Sequence, residues 1–344
     1  MSLARARQRY HLIGISSNPH ELAMAGTDEA HLVPRADDPA FMAVLAGIIA
    51  DTKPDILHSQ HDAVIKVLAQ HRDRLPVRMF LPRTETIEAC VDKYESYQRW
   101  QKAGVPVPET VEIDSPAALR RAFAQLGPEL WIRLKEGGGG AGALRVSDPE
   151  FARIWISHYR GWGRFTAARP LGSESVTWSS IWRDGELLVA QSRKRLGWLF
   201  ANRAPSGVTG VTGVGLTIRD KAVDDLALRA IHAVDPAPHG IFSVDMTYGK
   251  GGEDGTDGGL YLTEINIGRF FTTIHFFTAA GVNFPEIFFN LAFGGKMPRL
   301  PRKVNPLRPG LLWIRGMDTT PVLTDVKSIA RFDRALAKRL GRKR

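Results

Sequence analysis

The sequence has one cysteine, Cys90, among 344 residues. A single thiol excludes an intrachain disulfide and a cysteine-rich zinc site. Long apolar runs are missing too. The longest mainly apolar stretch, Phe41–Ala50, is half of the roughly 20 residues that a membrane-spanning helix needs. No continuous apolar segment follows the basic start Met1–Arg9, so a secretory leader is not expected. No repeat of fixed period is visible. The ten histidines fit no ligand spacing, and His58 and His61 beside Asp62 read as surface or core residues. No serine–histidine or cysteine nucleophile stands out. These absences leave a soluble, cytoplasmic protein of two or three domains, at roughly 100–200 residues each. An apolar content of 44% excludes disorder as its main state.

The net charge of +10 suggests a polyanionic partner. Its distribution argues otherwise. Lys327, Arg331, Arg334, Lys338, Arg339, Arg342, Lys343 and Arg344 face only Asp333, and Arg5, Arg7 and Arg9 add the rest, so Tyr10–Val326 is formally neutral. Ile329, Phe332, Leu336 and Leu340 would form an apolar stripe on a helix opposite the C-terminal cations.

Tyr10–Ile15 and Asp55–His58 read as strands, and Pro39–Ala50 and Ala63–His71 as helices. This alternation predicts a small parallel sheet with helices on its faces. Thr84–Ala103 reads as one long helix stopped by Gly104. Ser115 caps a helix that ends at Gly127, and Ser147-Asp-Pro-Glu150 has capping-box spacing before another. Strand-like segments follow over Phe165–Ala201, with a turn at Asp184-Gly185. Asp220–Val234 and Pro285–Phe293 read as helices, and Ile241–Tyr248 and Leu260–Ile267 as strands.

The run Gly137–Gly140, Ala141, Gly142 fits the dinucleotide pattern G-x-G-x-x-G. That pattern requires a helix next and an acid about 20 residues later. Here a strand, Ala143–Val146, follows, and no acid stands near position 160. A strand–glycine loop–strand hairpin can instead close its bare N–H groups over a phosphate chain. Arg133 and Lys135 share one face of the entering strand and suit a triphosphate. A solvated surface hairpin is the competing reading. Glu264 and Asn266 share a strand face, and a hairpin brings Asp245 across from about Glu264. Such oxygen ligands suit Mg²⁺ beside phosphates, unless the acids simply face water. Arg269 follows and could hold a phosphate or a carboxylate. Arg193 and Arg195 share a face of another strand and could hold a substrate anion, or be solvated. Ser206–Gly213 is either a plain turn or, as the resemblance given next implies, a substrate-side loop.

In this order the residues resemble the ATP-grasp superfamily, near its carbamoyl-phosphate-synthase-like and carboxylate–amine ligase members. Five segments carry the resemblance: Asp92-Lys93 with Ala103–Thr110, Trp131–Gly142, Leu171–Trp178, Phe242–Met246 and Thr263–Phe270. It implies an α/β chain, with a small parallel domain at 1–85 before an ATP-grasp domain at 86–300. The small lobe would cover about 110–170 and the large lobe 171–300, their antiparallel sheets clamping ATP. Residues 301–344 would add a strand and the basic helix. Lys93 and Arg133 would contact phosphates, with Lys135 sharing the task. Gly139, Gly140 and Gly142 would form the flap, and Glu174 would hold the ribose. Asp245, Glu264 and Asn266 would ligate Mg²⁺, or Mn²⁺ in its place. Arg269 and Arg133 would be the catalytic cations.

The activity implied is an ATP-dependent ligase that makes an acyl phosphate and couples it to an amine. The alternatives are a carboxyphosphate-forming enzyme and a non-catalytic nucleotide-binding protein that meets nucleic acid through its basic C-terminus. ATP and small carboxylate and amine substrates are the expected partners, with no membrane. Nucleic acid is disfavoured because no aromatic residues alternate with the bases. A homodimer is left open.

Overall fold

The computed structural model describes residues 1–251, 258–317, 322–327 and 330. The expected C-terminal basic helix, and with it the nucleic-acid alternative, lies almost wholly outside the described residues.

At the N-terminus β1 (Ile13–Ser16) pairs in parallel with β2 (Glu29–Leu32). Between them α1 (Pro19–Met24) starts at Asn18, whose side chain accepts from the His20 N–H. The helix α2 (Phe41–Thr52) buries Phe41, Leu45 and Ile49, and α3 (Asp62–Gln70) buries Ile65, Leu68 and Ala69. Both sets repeat at helical spacing. Asp55–His58, expected as a strand, makes only an isolated bridge from Ile56 to Arg78. Pro54, just before it, has no N–H to extend the pairing.

The expected long helix is two helices, α4 (Thr84–Val91) and α5 (Lys93–Lys102). Asp92 breaks it. Its backbone is extended (φ −83°, ψ 108°), and its carboxylate accepts from the Tyr94 and Glu95 N–H groups. It is a helix N-cap placed where continuity was expected.

A four-stranded antiparallel sheet has the order β3-β6-β4-β5. Its strands are β3 (Thr110–Ile113), β4 (Leu130–Leu134), β5 (Leu144–Val146) and β6 (Phe165–Ala168). Two helices back it, α6 (Pro116–Leu126) and α7 (Pro149–His158), over a core of Ile113, Leu119, Ile132, Leu144, Ile156 and Phe165. The cap of α7 is Asp148 rather than the expected Ser147.

The second sheet has seven strands in the order β11-β10-β7-β8-β9-β12-β13. They are β7 (Ser175–Arg183), β8 (Glu186–Trp198), β9 (Thr212–Thr217), β10 (Gly240–Tyr248), β11 (Leu260–Ile267), β12 (Leu311–Ile314) and β13 (Val322–Asp325). All neighbouring pairs are antiparallel. The helix α8 (Lys221–Val234) packs on β7 and β10. Side chains of α2 and α3 join the same apolar cluster as Trp178, Phe242 and Ile265 of this sheet. Phenylalanines of α9 (His275–Ala279) and α10 (Phe284–Ala292) form a second cluster with Ile181 and Val189. No helix among the described residues is long and apolar enough to cross a membrane.

Candidate active site

One row of side chains crosses a single face of the large sheet. Register pairs Glu264 with Asp245, Asp245 with Thr177, Thr177 with Arg193 and Arg193 with Thr217. Carboxylates therefore stand at the β11–β10 end and a guanidinium two strands away. A bulge beside Asp245 sets its partner strand two residues on, from Glu264 to Leu262, within one step.

Asp245 is held on several sides. Its Oδ1 accepts from Thr177 Oγ1 at 2.5 Å and lies 3.5 Å from Arg195 Nη2, and its Oδ2 accepts from Asn266 Nδ2 at 3.1 Å. Glu264 meets two cations of the small-sheet side, Arg133 at 3.5 Å and Lys93 at 3.9 Å. Lys93 is the first residue of α5, so the Asp92 cap fixes its place. Its Nζ donates to Gly137 O at 2.6 Å. Burial pulls the Lys93 ammonium down from its ordinary value, and Glu264 opposes that shift. Arg133 donates to Tyr97 Oη and, at 2.5 Å, to Thr263 O.

Arg269 donates through Nε and Nη2 to both oxygens of Asp62, the first residue of α3, and through Nη2 to Asn266 Oδ1 at 2.5 Å. Burial alone would lower the Arg269 pKa. Asp62, with Glu264 and Asp245 behind it, leaves it raised.

The glycine loop between β4 and β5 covers this row, and Ser206–Gly213 meets it from the other side. A Cβ on Gly140 would lie 2.6 Å from Val208 O, and one on Gly210 would lie 2.6 Å from Gly139 Cα. Gly138 sits over Asp62 and Arg269. The cleft holds about 240 Å³. Five cations line it, Lys93, Arg133, Arg193, Arg195 and Arg269, against Asp62, Asp245 and Glu264. Its charge favours anions.

Eleven of the residues expected at the site meet here: Lys93, Arg133, Gly139, Gly140, Arg193, Arg195, Asp245, Glu264, Asn266 and Arg269, with Gly210 of the substrate-side loop. Arg193 is 2% exposed, so it is no solvated strand residue. The structure places three of the expected residues away from this cleft. Lys135 shares the strand face of Arg133 but pairs with Glu112 across the small sheet and lies over the Tyr94 ring. Glu174 is drawn away by Lys194 at 2.8 Å and does not line the cleft. Gly142 turns from the cleft, its missing Cβ facing Leu134 and Phe165 at 3.1 Å. Asp62, Thr177, Trp198 and Phe271 were not singled out from the sequence, although alternation along β7 puts Thr177 in line with Asp245.

No protein-family model and no curated protein matches the chain by sequence. Solved structures match its fold. The carboxyaminoimidazole ribonucleotide synthase of Aspergillus clavatus, complexed with ATP, is 15% identical at TM-score 0.66, over 88% of this chain and 74% of that one. Biotin carboxylase of Campylobacter jejuni, in a β,γ-ATP complex, is 14% identical at TM-score 0.66, over 88% and 69%. The L-amino acid ligase of Bacillus licheniformis is 16% identical at TM-score 0.64, over 89% and 79%. With a small and a large antiparallel sheet facing one cleft beneath a glycine flap, the chain has the ATP-grasp fold.

Proposed function

We propose that the chain is an ATP-dependent ligase that activates a carboxylate with Mg-ATP and couples it to an amine. One observation carries this: the cross-strand pair Asp245–Glu264 interleaves with Lys93 and Arg133 directly under the glycine loop. Carboxylates and cations in one site suit a metal-bound phosphate chain. The residues fit Mg²⁺, which takes one or two carboxylates and keeps its other positions for water and phosphate oxygens. Asp245 and Glu264 would hold it. Asn266 would follow by turning its amide oxygen from Arg269. Bound there, the metal would neutralise charge on the transferring phosphoryl group.

The chain's own groups would do the rest. Lys93, Arg133 and the N–H groups around Gly139 and Gly140 would orient the phosphates. The flap and the 206–213 loop would exclude water. Arg269, held by Asp62, would face charge developing on the transferred phosphoryl group. The substrate carboxylate would attack the γ-phosphorus and release ADP. The amine would then displace phosphate from the acyl phosphate. Lys135, Gly142 and Glu174 have no part in this scheme. The division at residues 85 and 300 belongs to the same proposal.

Phosphate release from Mg-ATP, measured with a panel of carboxylic acids, bicarbonate, amino acids and amines, tests the proposal. Release should require both an acid and an amine, and Glu264→Gln should weaken Mg-dependent ATP binding at least tenfold. Release with bicarbonate alone would indicate carboxyphosphate. If no combination releases phosphate and Glu264→Gln binds ATP normally, the ligase assignment is wrong.

A further inference from the structure

Arg193 is a buried cation that the scheme above leaves unused. Its guanidinium carbon lies 4.4 Å from the centre of the Phe271 ring. On the opposite strand Gly215 makes room for it, since a Cβ there would fall 3.2 Å from Arg193 Cδ. A guanidinium has five N–H donors. Nη2 donates to Thr177 Oγ1 at 3.3 Å. Nε and Nη1 are buried without any hydrogen-bond partner. Burial, with the charge of Arg195, pushes the Arg193 pKa down to about 9, and the charge of Asp245 opposes this. A buried charge with donors left unmet opposes folding unless a ligand meets them. Replacing it with an apolar side chain of similar length would remove that cost. The chain instead keeps it on the wall of a cleft whose charge favours anions.

Its place in the row gives it a distinct task. Arg193 stands on β8, two strands from Asp245 and three from Glu264. Adjacent strands are roughly 4.8 Å apart, so roughly 10 Å separates the backbones carrying Arg193 and Asp245. The reacting carboxylate belongs at the Asp245–Arg269 end, beside the metal. We propose that Arg193 binds a second anionic group of the acid substrate, a carboxylate or a phosphate, so that the substrate is a compact dianion lying along the row. This rests on the ligase assignment for which group reacts, but the anion site itself does not.

The test is calorimetry on the full chain with Mg²⁺ and a β,γ-imido ATP analogue, using glutarate, 3-phosphonopropionate and butyrate as probes. At least one dianion should bind tenfold or more tighter than butyrate. Preference for glutarate assigns the second group as carboxylate, and preference for the phosphonate assigns it as phosphate. Arg193→Met should bring the dianion to the level of butyrate, leave nucleotide affinity within twofold, and melt no lower than the parent. Arg193→Gln serves as the second variant. If both dianions bind no tighter than butyrate, or if both variants keep the preference, the proposal is overturned. Titrations without nucleotide separate the two claims. Arg193-dependent dianion binding in a chain that does not bind Mg-nucleotide would remove the ligase assignment and leave the anion site standing.

Discussion

Asp62 grips Arg269 with both carboxylate oxygens across 207 residues of sequence, Nη2 to Oδ2 at 2.9 Å. The contact ties the first turn of α3 to the loop just after β11, and Gly138 of the flap rests over it. Asp62 thereby fixes the orientation of a cation whose other side-chain hydrogen bond among the described residues is to Asn266.

On the proposed ligase function, removing that anchor should affect the chemical step more than nucleotide binding. In Asp62→Ala, Arg269 loses its paired carboxylate and is free to swing. Turnover should fall at least tenfold, which corresponds to about 1.4 kcal/mol of barrier, while the Kd for Mg-ATP stays within twofold. Single-turnover phosphate release alongside equilibrium nucleotide binding measures the two effects. A change confined to KM for ATP would show that Asp62 serves binding instead.

The flap glycines permit a second prediction with an internal control. Gly140 and Gly210 have φ of 73° and 70°, and an added Cβ at either would collide with backbone. Gly207 has the same left-handed φ of 70°, but nothing lies within 4 Å of its missing Cβ. An alanine at any of the three carries the left-handed penalty, roughly 1 kcal/mol. Only Gly140→Ala and Gly210→Ala should also keep the flap from seating. Both should lose tenfold or more in turnover and leak ATP hydrolysis to water, whereas Gly207→Ala should stay within threefold of the parent. The cleft's 240 Å³ falls below the roughly 300–1,000 Å³ typical of ligand pockets. On the proposed function a nucleotide would enter with the flap lifted, and equal behaviour of all three variants would remove the flap contact from that scheme.

Much of this site was legible because strand alternation and hairpin register are local. The sequence Leu260–Ile267 puts Glu264 and Asn266 on one face, and the facing strand could only bring Asp245 near Glu264. Arg193 and Arg195 separate from Lys194 by the same rule. What failed was reach. Lys135 lies on the expected face, but its long side chain finds Glu112 first. Glu174 precedes β7, where register no longer constrains it, and Lys194 takes it. The Asp62–Arg269 pair leaves no local signature, since its partners meet only through tertiary packing. The break at Asp92 did leave one: Asp92 followed three residues later by Glu95 is a capping pattern inside an otherwise helical run.

That break leads to a prediction about function as well as stability. Asp92→Ala removes an N-cap, usually costing about 1 kcal/mol, and frees the turn that aims Lys93 at Gly137 O and Glu264. Asn can still cap, so Asp92→Asn should retain most of both properties. Urea unfolding and Mg-ATP titration should show Asp92→Ala less stable and several-fold weaker in nucleotide binding, with Asp92→Asn close to the parent. A loss of stability in Asp92→Ala with unchanged nucleotide affinity would detach Lys93 from the phosphates.

His58 gives the fold an acid-sensitive contribution to stability. Its ring lies among Phe270, Phe288 and Phe289, with centroid distances of 6.1, 4.9 and 5.9 Å, and its Nδ1 is buried without a hydrogen-bond partner. Burial lowers its pKa from the ordinary 6.5 to about 4. The unfolded chain therefore binds a proton through that window while the folded chain does not. Stability then rises with pH between about 4 and 6.5, and it is lost as the pH falls through the same range. The slope from this one group is at most about 1.4 kcal/mol per pH unit. Phenylalanine suits the aromatic surroundings and does not titrate. Urea unfolding of the parent and of His58→Phe at pH 7.5, 5.5 and 4.5 should give a difference that moves steadily in favour of the variant as the pH drops. Parallel stability curves would mean that the imidazole titrates alike in both states.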